Sequence, residues 1–255
     1  MLRALLLVVH ILYGLGICLW LALDSAAQAR APQIAQRWHR RLLDIFGLRL
    51  QVEGTPMQGS HLTAANHVSW LDIPVIGALE PTRFIAKSEV RDWPVAGAFA
   101  RAAGTFFIRR GKGGSGPLID RLVPHLQRGG SVVLFPEGTT TDGTRVKPFH
   151  CRLFQASIEA RRPVQPVTIQ YGLTSSGKRI APFIGDDSLV AHILRLLRND
   201  ALDVQVRYGP PIPSEGMTRD ALAEETESYV RAALQPAPLP VPPVDAAAAP
   251  RWSEA

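Results

Sequence analysis

The sequence predicts an α/β fold: a largely parallel or mixed sheet flanked by helices, with an N-terminal membrane-anchoring helical segment. Three observations predict it. From residue 47 to residue 234, short apolar and β-branched runs alternate with helix-length segments, and strands separated by helices build a sheet covered on both faces. Residues 4–23 hold no formal charge, and about twenty such residues can cross a bilayer core as a helix. Residues 235–255 are dominated by Pro and Ala, a composition with too little apolar surface to fold. The expected division is an anchor over 1–46, an α/β domain over 47–234 and a disordered tail over 235–255.

The flanks of the apolar segment are uneven. Arg3 precedes it, while Arg30, Arg37, Arg40 and Arg41 follow, so the positive-inside rule puts the downstream chain in the cytoplasm. Arg3, the apolar run and Ala27-Gln28-Ala29 also imitate a secretory signal with a cleavage site. The run is long for that purpose, which favours a retained anchor at the inner membrane. Residues 35–46 alternate Arg with Trp38, Leu42, Leu43, Ile45 and Phe46 at helical spacing, as interfacial helices do. The sequence leaves open whether the first segment crosses the bilayer or forms a shallow hairpin with the second.

Residues 48–52 alternate with period two, the pattern of a half-buried strand. A second strand is expected at 62–65 and a helix at 73–79, with Pro74 in its first turn, where the missing N–H has no partner to lose. A strand at 83–86 leads to a helix at 90–103. The aromatic and β-branched run 105–108 is the next strand. A helix at 118–126 closes at Gly129-Gly130, followed by a buried strand at 131–135. The remaining order is helix 149–161, strand 164–171, helix 188–198, strand 204–208 and helix 218–234.

Three polar turns fall at predicted strand ends, where open α/β sheets collect their ligands. The first is Asn66-His67-Val68-Ser69-Trp70-Leu71-Asp72. On one helix His67 and Asp72, five apart, would point in different directions. A turn between them lets Asp72 fold back onto one imidazole nitrogen, leaving the other free to take a proton. Ser69 lacks the Gly-x-Ser-x-Gly elbow of a serine nucleophile. The second turn, Arg109-Arg110, offers forked donors for phosphate or carboxylate. The third, Glu137-Gly138-Thr139, presents backbone N–H groups and a hydroxyl, with Glu137 in need of a partner near the core, for which Arg109 is the natural choice. Each signal is weak alone; strands pointing the same way would bring all three to one rim.

Composition bounds the chemistry. The 28 Lys and Arg against 22 Asp and Glu give a net charge of +6, which favours anionic partners. Zinc-finger spacing, an RNP-like aromatic pattern and dense basic runs are all missing, so nucleic acid is not expected. No His or Cys cluster has metal-site spacing. Cys18 and Cys151 form no disulfide framework and fit a reducing compartment.

Four blocks in order, Asn-His-x-Ser-x-x-Asp over 66–72, Phe-Ile-x-Arg over 107–110, Phe-Pro-Glu-Gly-Thr over 135–139 and the Pro-Val strand over 164–167, resemble the motif set of the glycerolipid (lysophospholipid) acyltransferases. The resemblance spans about residues 47–210 and is strongest to the 1-acyl-sn-glycerol-3-phosphate acyltransferase branch. Lys87 and Gly104 also sit where that family has a Lys and a Gly. The resemblance implies acyl transfer from acyl-CoA or acyl-ACP to a lysolipid hydroxyl at a membrane. It makes His67 the base and Asp72 its orienting partner. Arg109, Arg110, Glu137, Gly138, Thr139 and Lys87 would bind substrate. No metal or bound cofactor is implied, since the thioester is already activated. The branch that makes phosphatidic acid continues Glu-Gly-Thr with Arg and Ser; here Thr140 and Thr141 stand instead. The expected acceptor is 1-acyl-sn-glycerol 3-phosphate. The alternatives are lyso-ornithine lipid, whose head group has no phosphate, and a catalytically silent membrane lipid-binding protein.

Overall fold

The computed structural model describes residues 2–109, 115–199 and 201–234. The expected disordered tail and Arg110 lie outside the described residues. The chain begins with three helices, α1 (Leu2–Leu23), α2 (Ser25–Gln28) and α3 (Ala31–Phe46). Gly47 ends α3 in the left-handed conformation at φ 69°, its N–H donating to Asp44 O at 3.0 Å, a conformation that favours glycine. Then follow β1 (Leu48–Glu53), β2 (Leu62–Ala65), α4 (Asp72–Leu79) and β3 (Arg83–Lys87).

The helix expected over 90–103 is two pieces. A 3-10 turn at Ser88–Asp92 stops at extended Trp93, and α5 (Pro94–Ala102) restarts with Pro94 in its first turn. Proline disfavours helical geometry in the residue before it, so the helix begins at Pro94. After β4 (Phe106–Ile108), α6 (Gly116–Gln127) and β5 (Val132–Leu134), the helix expected over 149–161 also divides, into a 3-10 turn at Cys151–Phe154 and α7 (Gln155–Ala160). The chain continues through β6 (Val164–Tyr171), α8 (Leu189–Arg198), β7 (Leu202–Tyr208) and α9 (Arg219–Ala233).

The strand order is β1-β7-β6-β2-β5-β3-β4. β6, β2, β5, β3 and β4 run parallel, β7 is antiparallel to β6, and β1 is parallel to β7. Every residue of β2 and β6 is buried, as expected of central strands with helices on both sides. Alternation along β2 splits the core. Leu62 and Ala64 join Leu118, Leu122 and Leu222 on one face, while Ala65 joins Val75, Ile76 and Phe46 on the other. The parallel run places the carboxyl ends of β2, β5, β3 and β4 on one rim.

α1 is bound into the fold at both ends. Arg3 donates to the Asn199 carbonyl at 2.8 Å, and Leu21 is buried against Ala27 and Ala31. Midway, a Cβ on Gly14 would lie 2.6 Å from the Trp38 side chain and 2.8 Å from Phe99, so only glycine admits this approach. The outer face exposes Leu2, Leu5, Leu6, Val8, Val9, Leu12, Tyr13, Leu19, Trp20 and Leu23. Among the described residues α1 is the one helix long and apolar enough to cross a membrane.

Candidate active site

β2 delivers Asn66 and His67 to the rim beside β5. In the register Ala65 pairs with Val167 and Ala64 with Leu134. Beyond the last backbone pair, the Asn66 amide continues the ladder: Nδ2 donates to Ile169 O at 2.9 Å, and Oδ1 accepts from Ile169 N at 2.7 Å. His67 therefore leaves the sheet from a fixed point.

The chain then turns back. Asp72 opens α4, and its Oδ2 accepts from His67 Nδ1 at 2.7 Å, Val68 N at 2.7 Å and Ser69 N at 2.9 Å. Its Oδ1 accepts from Tyr171 Oη at 2.7 Å. The carboxyl group is completely buried, while the His67 side chain is 19 % exposed. A carboxylate at a helix start is also favoured by the helix dipole. The imidazole stacks on Phe135, ring centroids 4.2 Å apart, which fixes its plane. With Nδ1 committed to Asp72, Nε2 is the nitrogen left to accept a proton. Ser69 is fully buried and its Oγ has no hydrogen-bond partner among the described residues, so it cannot meet a substrate as a nucleophile.

Glu137 has a different place from the one expected. Its Oε1 accepts from His67 N at 2.7 Å and its Oε2 from Lys147 N at 2.8 Å. Burial raises its carboxyl above the usual carboxylate range, against the pull of those two amides. Among the described residues no ion pair joins it to Arg109. The topology gives the reason. Glu137 follows β5, and β4 lies two positions from β5 in the sheet, about 10 Å at ~4.8 Å per strand. Arg109 is exposed just past β4, and Lys87 is exposed at the end of β3. Thr139 and Gly138 are exposed; Gly138 has φ 67°, and a Cβ there would meet His150 at 3.2 Å. The rim thus joins His67 to Asp72 and Glu137 directly, while Lys87 ends β3 and Arg109 follows the edge strand β4.

The two threonines in place of Arg and Ser turn inward. Thr140 Oγ1 donates to Phe183 O. Thr141 donates to His67 O through its N–H at 2.8 Å and its hydroxyl at 3.2 Å. Three residues carry this geometry without a sequence signal that gave them a role: Tyr171, at the end of an apolar strand, Asn66, noted only as part of its motif, and Thr141, noted only as a departure from the family pattern. Among the described residues no group of three or more His, Cys, Asp and Glu side chains is placed to hold a metal.

The family model described as Acyltransferase matches residues 49–170. A lyso-ornithine lipid O-acyltransferase of Pseudomonas aeruginosa is 43 % identical over 226 residues, covering 87 % of this chain and 88 % of that protein. A 1-acyl-sn-glycerol-3-phosphate acyltransferase of Neisseria gonorrhoeae is 39 % identical over 176 residues, covering 68 % and 69 %. The crystal structure of the 1-acyl-sn-glycerophosphate (LPA) acyltransferase of Thermotoga maritima superposes with a TM-score of 0.70 over 91 % of both chains at 21 % identity, a likeness of fold. The ordered motifs, the rim that gathers them and these relatives agree: the chain belongs to the Acyltransferase family and is an O-acyltransferase.

Proposed function

We propose that the enzyme moves a fatty acyl group from acyl-CoA or acyl carrier protein to the free hydroxyl of lyso-ornithine lipid. His67 Nε2 takes the hydroxyl proton as the lipid oxygen attacks the thioester carbonyl. The tetrahedral intermediate collapses with cleavage of the C–S bond, and the imidazolium returns the proton to the leaving thiolate. Asp72 holds the imidazole in the required tautomer and stabilises it when charged. This chemistry needs an accessible Nε2 beside a buried carboxylate, which the 2.7 Å Nδ1–Oδ2 contact supports.

One observation carries the choice of acceptor. Where the phosphatidic-acid branch has Arg, this chain has Thr140, whose hydroxyl is spent on Phe183 O. Losing one charge-assisted hydrogen bond costs about 1.5–3 kcal/mol, or roughly ten- to a hundredfold in phosphate affinity. The relatives matched over 87 % of this chain, named as lyso-ornithine lipid O-acyltransferases, support the same reading. The order of the two acceptors is thus the reverse of the one expected from the sequence. The exposed Arg109 favours the second reading, 1-acyl-sn-glycerol 3-phosphate, since a guanidinium can hold a phosphate bidentately. Purified enzyme assayed with both acceptors and both donors tests this. Faster acylation of lyso-ornithine lipid is expected, and Thr140→Arg should improve use of the phosphate acceptor. Exclusive use of 1-acyl-sn-glycerol 3-phosphate by the wild type would overturn the assignment.

The protein is membrane-associated through α1 in this reading, on the cytoplasmic face where the thioester donors are. The packing of Arg3 and Leu21 into the fold supports a retained α1. Amino-terminal sequencing should find it present; a mature start at Arg30, after the Ala27-Gln28-Ala29 site, would refute retention.

A further inference from the structure

We propose that Tyr171 is a positioning residue of the acyl transfer, setting the strength with which Asp72 holds the His67 imidazole. Tyr171 ends β6, a strand buried along its whole length. Val167, Ile169 and Tyr171 share one face by the strand's period of two, and all three belong to the core cluster with Val75 and Ile76 of α4. The Asn66 amide grips Ile169 through both of its backbone groups. That pair of hydrogen bonds fixes how far β6 projects past the end of β2, and two residues later the Tyr171 hydroxyl meets Asp72 Oδ1 at 2.7 Å.

The geometry divides the carboxylate by task. Oδ2 serves His67 Nδ1, Val68 N and Ser69 N, all within the turn. Oδ1 receives Tyr171 from across the sheet. Asp72 is completely buried, so water cannot replace a donor lost from Oδ1. A hydrogen bond to Oδ1 draws charge away from Oδ2 and sets the plane of the carboxylate. Tyr171 is itself 6 % exposed and contacts Asp72 instead of the open rim. Burial and the Asp72 charge keep its phenol proton on, well above the ordinary tyrosine range, so it remains a donor throughout neutral pH. Glu137 is an ionisable group close to His67 and Asp72, and it holds the His67 backbone.

The inference rests on His67 being the base, so its test is read partly without substrate. Two variants change the donor in opposite directions. Tyr171→Phe removes it. Replacement of Tyr171 by 3-fluorotyrosine keeps the shape and makes the phenol a stronger donor. In the membrane-reconstituted protein, with no acceptor present, the His67 Nδ1 proton resonance should move to lower field in Tyr171→Phe, as Oδ2 regains charge. It should move to higher field with 3-fluorotyrosine. In turnover, Tyr171→Phe should lower kcat about tenfold, the scale of one charge-assisted hydrogen bond, with the acceptor KM within about twofold. Resonances that stay put, or move the same way in both variants, would overturn the proposal, as would a raised KM at unchanged kcat. If Tyr171→Phe fails to fold, the 3-fluorotyrosine protein alone decides, since it keeps the hydroxyl and changes one ring hydrogen for fluorine. Failure of the base assignment shows separately, as full activity in His67→Ala.

Discussion

Glu137→Gln separates two roles for a residue that the motif alone assigns to the acceptor. The structure gives its two oxygens to His67 N at 2.7 Å and Lys147 N at 2.8 Å, with the side chain 3 % exposed. Glutamine keeps the shape and one acceptor oxygen, but sets an NH2 group against the second backbone N–H. One charge-assisted bond is lost, and the survivor becomes neutral. Each charged bond is worth about 1.5–3 kcal/mol and a neutral one about 1, so the turn loses about 3 kcal/mol. A domain of ordinary stability survives that. The turn carrying His67 does not keep its geometry, and a misplacement near 1 Å costs about a hundredfold in rate. Steady-state kinetics in mixed micelles should show kcat lowered ten- to a hundredfold, with the acceptor KM within about threefold. The reverse pattern, a KM raised thirtyfold or more at unchanged kcat, would refute the reasoning and return Glu137 to direct acceptor binding.

Two further predictions concern the same fold. His67→Ala should cost about a hundredfold to ten-thousandfold in kcat, and Asp72→Asn should also cost heavily through loss of imidazole orientation; both should keep the wild-type circular dichroism spectrum, and substantial turnover by folded His67→Ala would sink the mechanism. Acid should weaken the packing of α3 on α4: burial holds His39 down to about 4 from an ordinary 6.5, so the unfolded chain binds more protons between those values and stability, fully present above about pH 6.5, falls as pH drops towards 4, by about 3 kcal/mol. Half-buried His125 and buried His192, also held below their ordinary values by burial, add in the same direction. Thermal unfolding at pH 7 and pH 5 should show a smaller loss for His39→Phe than for wild type; parallel losses would count against this account.

The sequence by itself determined the α/β class, all seven strands among the described residues, and the pairing of His67 with Asp72. Those features are local. Period-two runs, Gly47 after α3 and a five-residue turn are set by neighbours along the chain, and the four motif blocks keep their order whatever the fold does with them. Sequence patterning missed the breaks before α5 and α7, although Pro94 signalled the first. Tertiary structure alone decided who meets whom on the rim. The order β2-β5-β3-β4 seats Glu137 beside His67 and removes Arg109 to the sheet edge, so the expected Arg109–Glu137 pair did not form. It also decided that Thr140 and Thr141 face inward and that Tyr171, 99 residues from Asp72 along the chain, supplies its second donor. Strand order is fixed by burying two faces at once, a condition on the whole chain that no single stretch records.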